Sequence, residues 1–248
     1  MTHVLLCLHG WGGSKESFAD LRAALEGSGI EILTPDLPGF GSEPEPPKPW
    51  SVDDYADWVE QWMTKQQATF PFPLSPFHLL GHSHGGRIAI KLANRQSANR
   101  QSPIARLFLC ASAGIPHRTF KVQWMNVLAK IGRTLFALPL LKKLEQPLRK
   151  ILYKILGVHD YERASPMMKA TMQRVTSEDL TPLLSNIRIP TDLFWGENDT
   201  QTPISDGKRM HDMIRGSILH TFAGTRHRVH RDRAMEIASV IRERMETD

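Results

Sequence analysis

The sequence predicts an α/β fold: a three-layer α/β/α sandwich around a parallel sheet of about six strands, with a helical block inserted past its middle. Three observations carry this reading. Short β-rich runs alternate with stretches of helical period, the pattern of strands joined by crossover helices. The runs VLLCL and RLFLC are apolar at nearly every position, which suits strands covered on both faces. Residues 115 to about 180 separate two of these runs by far more than a crossover needs.

Taken in order, the first strand is read at His3 to Leu8, leaving through HGWGGS, residues 9–14, into a helix over 15–27. A second strand, Glu31 to Thr34, ends in PDLPGFGSEPEPPKPW, residues 35–50, whose prolines and glycines demand an ordered loop. A helix over 52–66 leads to a strand at Phe77 to Leu80, the run GHSHGG and a helix over 84–96. The fourth strand is Ala105 to Cys110. After the insert, broken at Pro139, Pro147 and Gly157, strands at Thr191 to Trp195 and Ser217 to Phe222 alternate with helices over 205–214 and 231–245. A chain of 248 residues fits one decorated domain better than two. The expected division is a core of residues 1–114 and 176–248 and a helical cap over 115–175.

Composition narrows the class of function. With 41% hydrophobic and 23% charged residues the chain reads as an ordinary soluble globular protein. Cys7 and Cys110 lie in apolar runs and read as small buried hydrophobes, not as a disulfide framework. No leader pattern and no apolar run long enough for a membrane span is evident, so a cytoplasmic location is expected. The net charge of +5 is concentrated: residues 115–175 hold twelve Lys and Arg against three acids, so that segment is +9 and the remainder −4. This charge accompanies no nucleic-acid motif, so no nucleic-acid partner is expected. Within it, residues 136–157 form an amphipathic pattern. It reads first as a cap helix whose apolar face covers the site, and second as a basic surface weakly attracting anionic substrates or lipids, without stable membrane insertion.

The chemistry concentrates in Gly81-His82-Ser83-His84-Gly85, which fits G-x-S-x-G between a strand and a helix. A sharp turn there lifts the serine hydroxyl above the sheet, and the glycines leave room for it. A serine hydroxyl needs a base, and the base an orienting acid. Asp199 follows the strand TDLFW and His227 follows the strand SILHTF, so both belong in loops at the strands' C-terminal edge, where Ser83 also lies. Asp192 and Asp206 are weaker acid candidates, one starting a strand and the other inside a helix. The backbone N–H groups of Trp11 and His84 are the expected oxyanion donors. His9, Gly10, Trp124 and Trp195 are the expected pocket-lining residues, with His9 also serving its turn. Competing chemistries fail on spacing. G-x-G-x-x-G from Gly10 would need glycine at Lys15, His82 and His84 lack a third metal ligand, and HRVH at 227–230 is not H-E-x-x-H. No metal and no cofactor are expected.

These motifs together resemble the α/β-hydrolase superfamily, in particular a capped serine esterase or lipase-like member. HGWGGS resembles its oxyanion loop, DLPGFGSE the loop after its second strand, GHSHGG its nucleophile elbow, WGENDTQTP its acid loop and GTRHRVHRDRA its histidine loop. Asp36 falls at a position that is more often structural. The chain order Ser, Asp, His agrees with the superfamily's order. Arg226 stands where the family usually has glycine and Ala234 where it has proline, leaving His230 as the alternative base. The chain also begins at the HG-containing strand, without the two antiparallel strands that commonly precede it. The resemblance implies hydrolysis of small-molecule carboxylic esters of small to medium acyl groups through an acyl-enzyme. Thioesterase, lactonase, acyltransferase and C–C hydrolase activities share the same triad, and a slow-turnover ligand receptor could retain it. Serine at the nucleophile argues against the dehalogenase and epoxide hydrolase branches.

Overall fold

The computed structural model describes residues 3–70, 76–99, 104–116 and 164–247. Most of the expected cap, and with it Trp124 and the amphipathic segment 136–157, lies outside them. Six strands, β1 (His3–Leu8), β2 (Ile30–Leu33), β3 (Phe77–His82), β4 (Ile104–Cys110), β5 (Thr191–Gly196) and β6 (Ile218–Phe222), form one sheet in the order β2-β1-β3-β4-β5-β6. Every pairing is parallel.

Strand alternation divides the core into two layers. Val4, Leu6 and Leu8 of β1 join Leu79, Leu107, Leu109, Leu193 and Trp195 on one face. Leu5 and Cys7 join Leu80, Phe108, Cys110 and Phe194 on the other. Both faces are apolar because both are covered. The first is packed by α2 (Val52–Gln67), α3 (His84–Asn99), the short α5 (Thr181–Leu184) and α6 (Ile204–Met213); α4 (Pro166–Ser177) contributes Val175. The second is packed by α1 (Ala19–Ala24), α7 (Val229–Asp232) and α8 (Ala234–Thr247). Cys7 and Cys110 are buried free thiols on this second face.

Two elements differ from the sequence reading. The helix expected over 15–27 is a 3-10 turn, Lys15–Phe18, followed by α1, which stops at Ala24 ahead of Gly27 and Gly29 at φ +73° and +74°. The last helix is broken at Arg233, whose backbone leaves the helical region at φ −129°. Its guanidinium donates to Thr225 Oγ1 and the Ala223 carbonyl, tying the start of α8 to the loop after β6.

The long loop after β2 is ordered by polar side chains. The Asp36 carboxylate accepts the Lys15 N–H at 2.6 Å and both the N–H and hydroxyl of Ser42 at 2.9 Å, joining the first and second exit loops. Burial alone would raise its pKa, but these hydrogen bonds and His9 hold it below the ordinary carboxylate value. The loop ends in α2, whose start is a capping box: Ser51 Oγ accepts the Asp54 N–H and the Asp54 carboxylate accepts the Ser51 N–H. Of the expected cap, residues 164–175 lie over this loop. Thr171 Oγ1 accepts the Trp50 N–H, and Ser165 donates to Glu45 at 2.8 Å. No helix among the described residues is long and apolar enough to cross a membrane.

Candidate active site

Ser83 occupies the turn between β3 and α3 at φ +52°, a left-handed conformation uncommon for a residue with a Cβ. Its carbonyl accepts the N–H groups of Gly86, Arg87 and Ala113, and its own N–H donates to the Cys110 carbonyl. The turn is compressed by its neighbours: a Cβ on Gly81 would come within 2.6 Å of the Gly85 carbonyl, and one on Gly85 would run into the Leu8 carbonyl. The glycines therefore answer to close approach of the backbone, and they let β1, β3 and the first turn of α3 pack together.

Asp199 and His227 meet because their loops are laced by backbone bonds. The Glu197 N–H donates to the Phe222 carbonyl at 3.1 Å and the Asn198 N–H to the Thr225 carbonyl at 2.9 Å. His227 Nδ1–H then donates to Asp199 Oδ2 at 2.8 Å, in a pair whose carboxylate is fully buried. Asp199 Oδ1 accepts the N–H groups of Gln201 and Thr202. Burial would raise the Asp199 pKa, but the hydrogen bonds from His227, Thr202 and Gln201 outweigh it and keep the group below its usual range. This arrangement leaves His227 Nε2 as the nitrogen able to accept a proton.

His230 does not meet the acid. It packs against Phe18 and against the ring of His82, with centroids 3.9 Å apart, and Nδ1 has no partner. Arg226, in the position where the family usually has glycine, is solvent-exposed. Asp192 lies near the opposite end of β5, ion-paired with Arg106 and Arg244 and hydrogen-bonded to His220 Nε2.

Trp11 sits in the turn closed by the Gly13 N–H to the Gly10 carbonyl, and His84 is the first residue of α3, where an N–H has no acceptor within the helix. Gly10 lies close to the elbow: a Cβ there would fall 3.1 Å from Ser83 Cβ and 2.8 Å from His82 Nδ1. A cavity of about 260 Å³ opens beside Trp11, bounded by Phe40, Gly39, Met168, Glu45 and Ser165. Two of the expected pocket residues are fully buried. His9 is fully buried, donating from Nδ1 to the Gly10 carbonyl and accepting the Leu37 N–H on Nε2, so it braces the first exit loop against the second. Trp195 is also fully buried, because the alternation of β5 turns it into the core, where its indole N–H donates to the Thr202 carbonyl at 2.8 Å.

Three histidines around the elbow, His9, His82 and His84, are buried. His82 Nε2–H donates to the His227 carbonyl at 3.0 Å, so the residue before Ser83 holds the backbone of the histidine loop. Burial first, then the neighbouring His230 and His227, push its pKa well below the ordinary histidine value. The His84 ring is packed edge-on against Trp11 and Tyr55, and burial pushes it down to about 3. Burial likewise lowers His9. Among the described residues no group of three His, Cys, Asp or Glu side chains could hold a metal ion. Sequence reasoning reads His82 as structural without naming its partner and does not single out Thr202, since neither residue type announces which loop it will face.

The comparisons with known proteins agree with this geometry at the level of fold and family. The chain is 30% identical over 213 residues to Lipase 1 of Psychrobacter immobilis, covering 79% of this chain and 62% of the lipase, so it spans less than two thirds of that relative's length. It is 26% identical over 253 residues to the pimeloyl-[acyl-carrier protein] methyl ester esterase of Neisseria meningitidis serogroup C, covering 96% of this chain and 92% of that protein. Its fold superposes on an esterase from Exiguobacterium antarcticum with a TM-score of 0.72 at 20% identity, over 98% of this chain and 92% of that one. Residues 5–240 match the Alpha/beta hydrolase family, and with its parallel sheet and strand–turn–helix elbow the chain belongs to that family.

Proposed function

We propose that the protein is a serine hydrolase of carboxylic esters. The observation that carries this reading is the buried His227–Asp199 hydrogen bond at the sheet edge where Ser83 is held at φ +52°. In this mechanism Ser83 Oγ attacks the ester carbonyl carbon while His227 Nε2 takes the hydroxyl proton. Asp199 fixes the imidazole tautomer, and the N–H groups of Trp11 and His84 receive the developing oxyanion. Collapse breaks the ester C–O bond, and His227 returns the proton to the departing alcohol. Water, deprotonated by His227, then attacks the acyl-enzyme, releasing the acid and restoring the Ser83 hydroxyl. No step calls for a metal or cofactor.

The cavity beside Trp11 is the acyl or alcohol pocket in this reading. It is lined by Trp11, Phe40 and Met168 together with Glu45 and Ser165, and small to medium acyl groups are the substrates proposed for it. The lipase and methyl ester esterase relatives support ester substrates over other acyl donors. The test is labelling by a fluorophosphonate probe together with turnover of p-nitrophenyl esters of graded chain length, a thioester and a lactone. Wild type reacts, with best turnover on short and medium esters, and Ser83→Ala does not react. An unlabelled wild-type protein overturns the reading.

A further inference from the structure

Thr202 is buried between the two triad partners downstream of Ser83. Its Oγ1 lies 2.7 Å from Asp199 Oδ2, 3.3 Å from His227 Nδ1 and 3.1 Å from the Ala111 carbonyl. We propose that Thr202 is a positioning residue of the triad: its hydroxyl fixes the Asp199 carboxylate in the orientation that receives His227 Nδ1–H. The proposal rests on the serine-hydrolase reading for its catalytic consequence, while its physical content concerns the Asp199–His227 pair alone.

Hydrogen-bond inventory sets the direction of each contact. An ionised carboxylate only accepts, so the Thr202 hydroxyl proton goes to Asp199 Oδ2, the shortest of the three contacts and a charge-assisted one. The Thr202 lone pairs then face His227 Nδ1–H, whose proton is shared between Oδ2 and Oγ1. The Ala111 carbonyl is a second acceptor within reach of the hydroxyl. Ala111 itself sits at φ +43°, held there by its N–H to the Phe194 carbonyl, and two residues on the Ala113 N–H donates to the Ser83 carbonyl. The Thr202 backbone is fixed from beneath by the Trp195 indole N–H. Without the hydroxyl, Asp199 keeps two N–H donors on Oδ1, but Oδ2 depends on His227 alone.

The test compares wild type, Thr202→Val, which keeps the shape and loses the hydroxyl, and Thr202→Ser, which restores it. Thr202→Cys substitutes for the valine variant if that one does not fold. The readouts are kcat and KM for a short p-nitrophenyl ester across pH and the His227 Nδ1–H proton resonance. His82 and His230, the titratable groups facing His227 from β3 and α7, are unchanged in all variants. Thr202→Val is expected to lower kcat on the order of 10- to 100-fold with KM little changed, as for other outer-shell partners. It should move the acid limb of the rate profile to higher pH, since a carboxylate with one donor fewer holds an imidazolium more tightly. The Nδ1–H resonance should shift, and Thr202→Ser should recover all three. A valine variant with wild-type kcat, pH profile and resonance overturns the proposal. A resonance that shifts in Thr202→Val and returns in Thr202→Ser, in a protein whose wild type resists the fluorophosphonate, upholds the positioning role and removes the hydrolase reading.

Discussion

Ser83, the proposed nucleophile, shows at the residue scale how a position departs from local preference. A residue with a Cβ at φ +52° carries strain of about 1–3 kcal/mol, which surrounding contacts must offset. Replacing it with glycine should therefore give a protein about 1 kcal/mol more stable in urea unfolding than Ser83→Ala, although neither variant has a nucleophile. Equal midpoints for the two would show that the turn is unstrained. The two candidate bases separate in the same way. His227→Ala should lower kcat/KM for a p-nitrophenyl ester by on the order of 10⁴-fold, whereas His230→Ala, which packs against His82 and Phe18 and does not bond Asp199, should cost far less. The reverse ranking would exchange their roles. The partners of His82 and Thr202 were illegible because a histidine and a threonine beside a motif give no sign of which carbonyl or carboxylate they will meet.

At the scale of elements, the elbow is a packing solution for three pieces of backbone. β1, β3 and α3 converge so closely that a methyl group at Gly85 meets the Leu8 backbone, which cannot rotate away as a side chain could. Gly85→Ala should destabilise the fold by about 1–3 kcal/mol or more in urea unfolding and slow fluorophosphonate labelling. A variant of wild-type stability would mean that the strand and helix can separate there without cost. Strand and helix identities were legible because period-2 and helical-period patterns are local properties. The 3-10 turn at Lys15–Phe18 and the break at Arg233 were not, since each depends on a contact made by a distant loop or a capping side chain. Trp195 illustrates the same limit. Its place at a strand's C-terminal end suggested the pocket, but the parity of β5 sends it into the core.

At the scale of the whole molecule, buried neutral histidines couple stability to pH. Burial, above all, takes His84 and His230 from an ordinary value of 6.5 down to about 3. Between those values the unfolded chain binds protons that the folded chain does not. The stability these groups contribute is thus complete above the unfolded value and is lost as pH falls toward about 3. Asp199, also held low, contributes in the same direction at the acid end. The melting temperature should fall from pH 7 to pH 4, and His230→Phe should flatten that decline relative to wild type. Parallel curves for the two proteins would show that His230 takes up no proton on unfolding.

By itself the sequence determined the parallel sheet, the order of its elements, the elbow and the residues offered for a triad, because apolar periodicity and glycine spacing are written along the chain. Only the tertiary structure decided that His227 and not His230 meets Asp199, that His9 and Trp195 are buried and bonded to backbone groups of the exit loops, and that Thr202 touches both Asp199 and His227. Those outcomes depend on which backbone carbonyls two exit loops exchange. Such contacts join residues distant in sequence, and nothing in the local order of residues specifies them.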